Sequence, residues 1–181
     1  MLQETEEVEE ISDYVSHTLN TTCGKLITAL VYLALRIARV NKKEGIKNDP
    51  RWTEEFKKKF DELLGGKVID AYTSLGRFLP SLSYLDKEWV KGKIEQTISE
   101  KENKYWQAFM EGYLSIGRVD DDLYSLMRPH YEYGLSYEFK QRHDREYLVQ
   151  HICVGYLRGR EKLDDPESLF RKIIDAWRPE Q

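Results

Sequence analysis

Apolar residues recur along this chain at spacings of three and four, the period that gathers side chains on one face of an α-helix. No strand-like alternation is present. Ile11, Tyr14, Val15 and Thr18 predict a short helix ending near Asn20. The stretch Cys23 to Val40 follows, with Thr21 or Thr22 as its cap and Gly45 as its end. Asp49-Pro50 then reads as a helix start, ahead of Trp52, Phe56, Phe60, Leu63 and Leu64. Val68, Ile69, Tyr72 and Leu75 predict a helix broken near Gly76 and Pro80. Asp86 and Asn103 cap the next two, which carry Trp89, Val90, Ile94 and Ile98, then Trp106, Phe109, Met110, Tyr113 and Leu114. Asp120 to Asp122 open a helix bearing Leu123, Met127, Tyr131 and Leu135, with a kink or break expected after Arg128 because Pro129 lies within it. Asp144 opens a helix ended by Gly159, and Asp165-Pro166 opens the last, closed by Pro179.

The pattern therefore predicts an all-α fold of about nine helices with short links, packed as antiparallel α-hairpins in a helical-repeat or solenoid-like array. Residues 1–181 read as one domain. The glutamate-rich first ten residues are either a solvated helical turn or a ragged boundary. The 23–40 stretch is the most apolar part of the chain. Its polar residues Lys25, Thr28, Tyr32, Arg36 and Arg39 share one narrow stripe, and apolar residues cover the rest. A helix of that kind is expected to be wrapped on most sides. It reads as the hub of the fold, and a charge at Leu33 is expected to unfold the chain.

Composition narrows the function classes. The chain has 181 residues, 33% of them charged and 40% apolar, so it is neither disordered nor membranous. Its longest apolar run, Ala29 to Leu35, is about a third of a bilayer span. The N-terminus is acidic, which is not the pattern of a secretory signal, and a cytoplasmic location is the default. A net charge of −4 gives no overall electrostatic case for nucleic acid. The two cysteines, Cys23 and Cys153, sit in apolar helical runs and read as reduced thiols.

No motif of catalysis survives its own requirements. Thr22-Cys23-Gly24-Lys25 resembles the end of a phosphate-binding loop, but Leu19 and Leu26 occupy the places of the needed glycine and hydroxyl. His17, His130, His143 and His151 form no metal-ligand spacing, and buried hydrogen-bonded imidazoles are the expectation. Asp120 to Asp122 read as capping rather than cation binding, and Lys57 to Lys59 as a solvated face. No catalytic residue, cofactor or metal is assigned, and the chain does not read as an enzyme. The remaining candidate is a basic tract interleaved with tyrosines. Arg128, Tyr131, Arg142, Arg145 and Arg158 have the composition of a partner-binding surface. Tyrosines at helical spacing also serve as inter-helix packing with wet hydroxyls.

Several strings together resemble the C-terminal helical region of bacterial STAND NTPases, the NLR-like proteins of antiphage defence. They are Leu19 to Lys25 running into Leu33-Ala34-Leu35-Arg36, Tyr84 to Trp89, Trp106 to Leu114, and Leu126 to Tyr131. Leu148 to His151, Tyr156 to Gly159 and Leu163 to Leu169 complete the set. The resemblance implies a fragment of a larger protein whose effector and ATPase lie elsewhere. It implies a sensor segment that recognises a protein ligand, such as a phage protein, with self-association through the parent. The alternatives are a stand-alone helical adaptor, and behind it a nucleic-acid-binding helical domain using the basic tract.

Overall fold

The computed structural model describes residues 11–46, 51–99, 101 and 103–177, and among them it contains ten helices and no strand. These are α1 (Tyr14–Asn20), α2 (Thr22–Glu44), α3 (Glu54–Gly65), α4 (Ile69–Arg77), α5 (Leu79–Leu85), α6 (Lys87–Ser99), α7 (Lys104–Leu114), α8 (Asp121–Ser136), α9 (Arg142–Leu157) and α10 (Leu169–Trp177). The all-α expectation is borne out.

Local chemistry fixes most of the boundaries. The Thr21 hydroxyl accepts from the Gly24 N–H at 3.0 Å to start α2, and Gly45 ends it in the left-handed conformation, at φ 70°. Asp86, Asn103 and Asp120 accept backbone N–H groups at the starts of α6, α7 and α8. Asp49-Pro50 lies outside the described residues, and α3 begins at Glu54 behind a Thr53 cap. Of the kink or break expected at Pro129, the break is absent, since α8 runs through it to Ser136. Asp165-Pro166 forms a turn, in which Asp165 accepts from the Glu167 N–H at 2.9 Å, and α10 starts only at Leu169.

The centre of the molecule is α7, not α2. Every residue of α7 from Trp106 to Leu114 is buried, and so is every residue of α4 from Asp70 to Gly76. These two helices make the tightest pairing in the fold. Two glycines permit it. A Cβ on Gly76 would lie 2.0 Å from the Phe109 carbonyl oxygen, and one on Gly112 would lie 2.1 Å from the Thr73 carbonyl oxygen. The backbones thus meet directly at both points. Because α4 and α7 are not neighbours in sequence, the core is built on a crossing of distant helices, where a stack of hairpins would pair successive ones. Helix α1 lies across both, α6 and α9 flank α7, and α10 closes over α8 and α9.

Buried polar groups lock this centre. The Trp106 indole N–H donates to His130 Nδ1 at 3.1 Å, so His130 carries its proton on Nε2, which meets the Ile94 carbonyl at 3.2 Å. Burial pushes this imidazole down to about 4 and keeps it neutral. One residue therefore ties α6, α7 and α8 together. The Tyr113 and Tyr131 hydroxyls meet at 2.8 Å, and Tyr131 reaches His151 Nδ1 at 3.4 Å.

Helix α2 is half-wrapped. Gly24, Ile27, Val31, Ala34, Leu35 and Ala38 face inward, but Leu26 is 61% and Leu33 47% exposed. The apolar inventory of this stretch was legible; the number of sides the fold would cover was not. Leu33 is not a core residue.

Candidate functional site

The structure does not gather the five basic-tract residues into one surface. Tyr131 is fully buried, at 0% exposure, because it continues the inward stripe of Leu123 and Met127 along α8. Arg128 is tied back onto the fold: its Nε lies 3.4 Å from the Glu161 carboxylate, and its Nη2 donates to the Glu167 carbonyl. Glu161, itself buried, also accepts from the Tyr124 hydroxyl at 3.1 Å and from the Leu169 N–H at 2.8 Å, which starts α10. Arg158 donates to the Val119 carbonyl at 2.8 Å and to Asp121 at 3.0 Å. Arg142 and Arg145 are exposed at the opposite end of α9, about 24 Å and about 20 Å from Arg158 at the rise of an α-helix. Arg128 and Arg158 staple the fold, and Arg142 and Arg145 remain as surface charge.

Two other features take their place. The first is the outer face of α2. Leu26, Leu30, Leu33, Ile37 and Val40 follow one another at spacings of four and three, the seam by which one helix receives another. Leu26 and Leu33 are exposed, and Leu30, Ile37 and Val40 are half-buried. Beside it, Leu30 joins Phe56, Phe60 and Leu63 of α3 and Trp52 around a small, partly enclosed apolar gap of about 20 Å³. Single exposed leucines are ordinary on a protein surface; a continuous apolar stripe over four turns is not. Along the other border of the stripe stand Lys25, Arg36, Arg39 and Lys43, all exposed. Among the described residues none of these four makes an ion pair with a carboxylate. The sequence carried this signal, because the stripe is the part of the apolar excess in α2 that its core-facing residues do not account for.

The second is a cleft of about 350 Å³ between the start of α1, the end of α7 and the start of α9, lined by Asp13, Glu111, Ser115, Gln141, His143, Asp144, Tyr147 and Val15. Asp13 caps α1, accepting from the Ser16 N–H at 2.7 Å and the Ser16 hydroxyl at 2.8 Å. Burial raises the Asp13 carboxyl, but those bonds outweigh it and hold it below its ordinary value. Glu111, 3% exposed, accepts the Tyr14 N–H at 3.0 Å and the Gln107 amide at 2.8 Å. Burial first, then the nearby charge of Asp144, pushes it up to about 7 against the pull of those two donors. Asp144 is also 3% exposed, and burial raises it to about 6, with Asp13 adding and His143 opposing. Its Oδ1 lies 3.3 Å from His143 Nε2, while its Oδ2 is buried without a partner. Sequence reasoning took Asp144 as the opening of a helix and passed over Glu111, a lone carboxylate inside the apolar run of α7.

A third constellation, His17, Asp70 and Cys23, has the residue types of a nucleophile with its base but not the arrangement. His17 Nε2 is 3.8 Å from Asp70. Cys23 is raised, by burial and then by the charge and hydrogen bond of Asp70. A thiol held by a carboxylate is the reverse of an activated one. Both cysteines are free. Among the described residues no group of three or more metal-ligating side chains is placed to hold a metal ion, and no helix is long and apolar enough to cross a membrane. No family model, curated protein or solved structure matches this chain.

Proposed function

We propose that this chain is a protein-binding helical module, and that the outer face of α2 is its binding surface. The observation that carries the reading is the stripe Leu26, Leu30, Leu33, Ile37 and Val40, with Leu26 and Leu33 exposed and the other three half-buried, beside a basic border. Its geometry fits an amphipathic helix of the partner laid along α2, with acidic residues facing Lys25, Arg36, Arg39 and Lys43. A second copy laid antiparallel on α2 would bring that same basic border against itself, which disfavours that symmetric pair. Nucleic acid is the less suited occupant, since aliphatic side chains line the face that the basic residues only edge. On the strings that resemble STAND NTPases, the module is the sensor segment of such a protein. In that setting it recognises a phage protein in the cytoplasm and passes the signal to an ATPase and effector carried elsewhere in the parent. The stand-alone adaptor reading uses the same surface and differs only in lacking a parent.

The test is capture of a partner from phage-infected lysate by the wild-type chain and by Leu26→Glu/Leu33→Glu, with nuclease treatment as a separate arm. The double variant folds but loses the protein that the wild type retains. The reading fails if capture is unchanged in the variant, if nuclease abolishes it, or if nothing is retained.

A further inference from the structure

The cleft between α1, α7 and α9 is independent of the α2 face and carries its own chemistry. Three carboxylates, Asp13, Glu111 and Asp144, line it, with one imidazole, His143, beside them. We propose that it is a binding site for an organic cation, an ammonium or guanidinium group that donates hydrogen bonds to these carboxylates.

Four observations lead there. The Asp144 side chain lines the cleft and is buried, and its Oδ2 has no donor, although buried carboxylate oxygens are almost always partnered. Each Glu111 oxygen already accepts one N–H, from Tyr14 or Gln107, and keeps a second lone pair. The acceptor set repels an anion. No described group of carboxylate, histidine or cysteine side chains converges closely enough for a metal ion, so the complementary ligand is a larger cation that reaches spaced acceptors through N–H groups. Val15 and Tyr147 supply an apolar wall for the alkyl stem of such a ligand, and the Tyr147 ring can also face its charge. The volume, about 350 Å³, suits a group of that size. Such a cation comes either free, as a small polyamine or guanidine, or on the arginine or lysine of another protein.

The experiment is a titration of the full chain followed by ¹H–¹⁵N NMR at neutral pH. Agmatine serves as the free cation, and acetyl-Gly-Arg-Gly-amide stands in for a protein side chain. Saturable shifts are expected at Asp13, Val15, Ser115, His143, Asp144 and Tyr147, with a dissociation constant below about 1 mM for at least one probe. The tighter probe assigns the source. Asp144→Asn weakens binding at least about tenfold, which is about 1.4 kcal/mol. Ser115→Lys, an exposed position on the rim, places a tethered ammonium at the mouth and blocks both probes without touching a buried carboxylate. This second variant keeps the test decisive if Asp144→Asn fails to fold. Absence of saturable shifts up to about 10 mM of either probe overturns the proposal. So does binding that Ser115→Lys leaves unchanged. Neither outcome bears on α2, whose residues are not followed in this assay.

Discussion

Replacing Gly112 by alanine tests the crossing on which the fold is built. In an ordinary helix interior this change stabilises by about 1 kcal/mol, because alanine restricts the unfolded chain. At Gly112 the new methyl would stand 2.1 Å from the Thr73 carbonyl oxygen and 3.0 Å from the carbon behind it. Both are backbone atoms, so no side chain can swing away. Relief requires α4 and α7 to part by about 1 Å, and a gap of that size forfeits up to about half of each contact across it. The contacts at stake are those of Leu75, Phe109 and Tyr113, all buried. Overpacking of this kind costs about 1–3 kcal/mol and sometimes more, and it must first cancel the helical gain. A net loss of about 2–3 kcal/mol is expected, a large part of the stability of a domain this size. Urea unfolding followed by circular dichroism measures it. Gly92→Ala is the matched control, because its Cβ would meet nothing within 4 Å on the exposed side of α6; it should gain about 0.5–1 kcal/mol. Gly76→Ala should resemble Gly112→Ala, and the double variant should cost well under the sum, since one separation relieves both clashes. A Gly112→Ala protein as stable as Gly92→Ala would refute the direct backbone contact and the central place given to α7.

Leu33→Asp should leave the chain folded, within about 0.5 kcal/mol of wild type, whereas Ile27→Asp on the inward face should unfold it; thermal melts of the pair decide between a half-wrapped and a wrapped α2. Glu111→Gln should change the pH profile. Glu111 is raised from 4.5 to about 7 in the folded protein, so its favourable share is complete below 4.5 and is lost as pH rises through 7. Removing it should raise stability relative to wild type by about 3 kcal/mol between pH 4.5 and 8, read as the difference between two chemical-denaturation series. The difference is needed because His130 and His151, lowered from 6.5 to about 4, act in the opposite sense: their share is absent below about 4 and grows as pH rises to 6.5. A pH-independent difference between Glu111→Gln and wild type would contradict the burial assigned to Glu111.

The helices were legible because their ends are written in local chemistry: Thr21, Asp86, Asn103 and Asp120 cap in the structure as their residue types suggest. Their arrangement was not. The α4–α7 crossing depends on Gly76 and Gly112 finding each other's backbones across more than thirty residues, which periodicity does not encode. Composition also misled in a definable way. Tyr131 was grouped with surface arginines, although its place four residues after Met127 and eight after Leu123 marks it as core. Arg128 and Arg158 look like recognition residues until Glu161 and Asp121 appear beside them. The acidic cleft escaped because Asp13, Glu111 and Asp144 lie on three separate elements and only the fold unites them. The α2 face was half visible: its apolar excess was noticed and assigned to the core.

The central claim is that partners meet this chain on the outer face of α2. Site-specific photo-crosslinking tests it most directly, with benzoylphenylalanine placed at position 33 in one protein and at position 145 in another. Exposure to phage-infected lysate followed by illumination should yield a crosslinked protein from position 33 and none from position 145. Crosslinks from position 145 alone would contradict the account and return recognition to the start of α9.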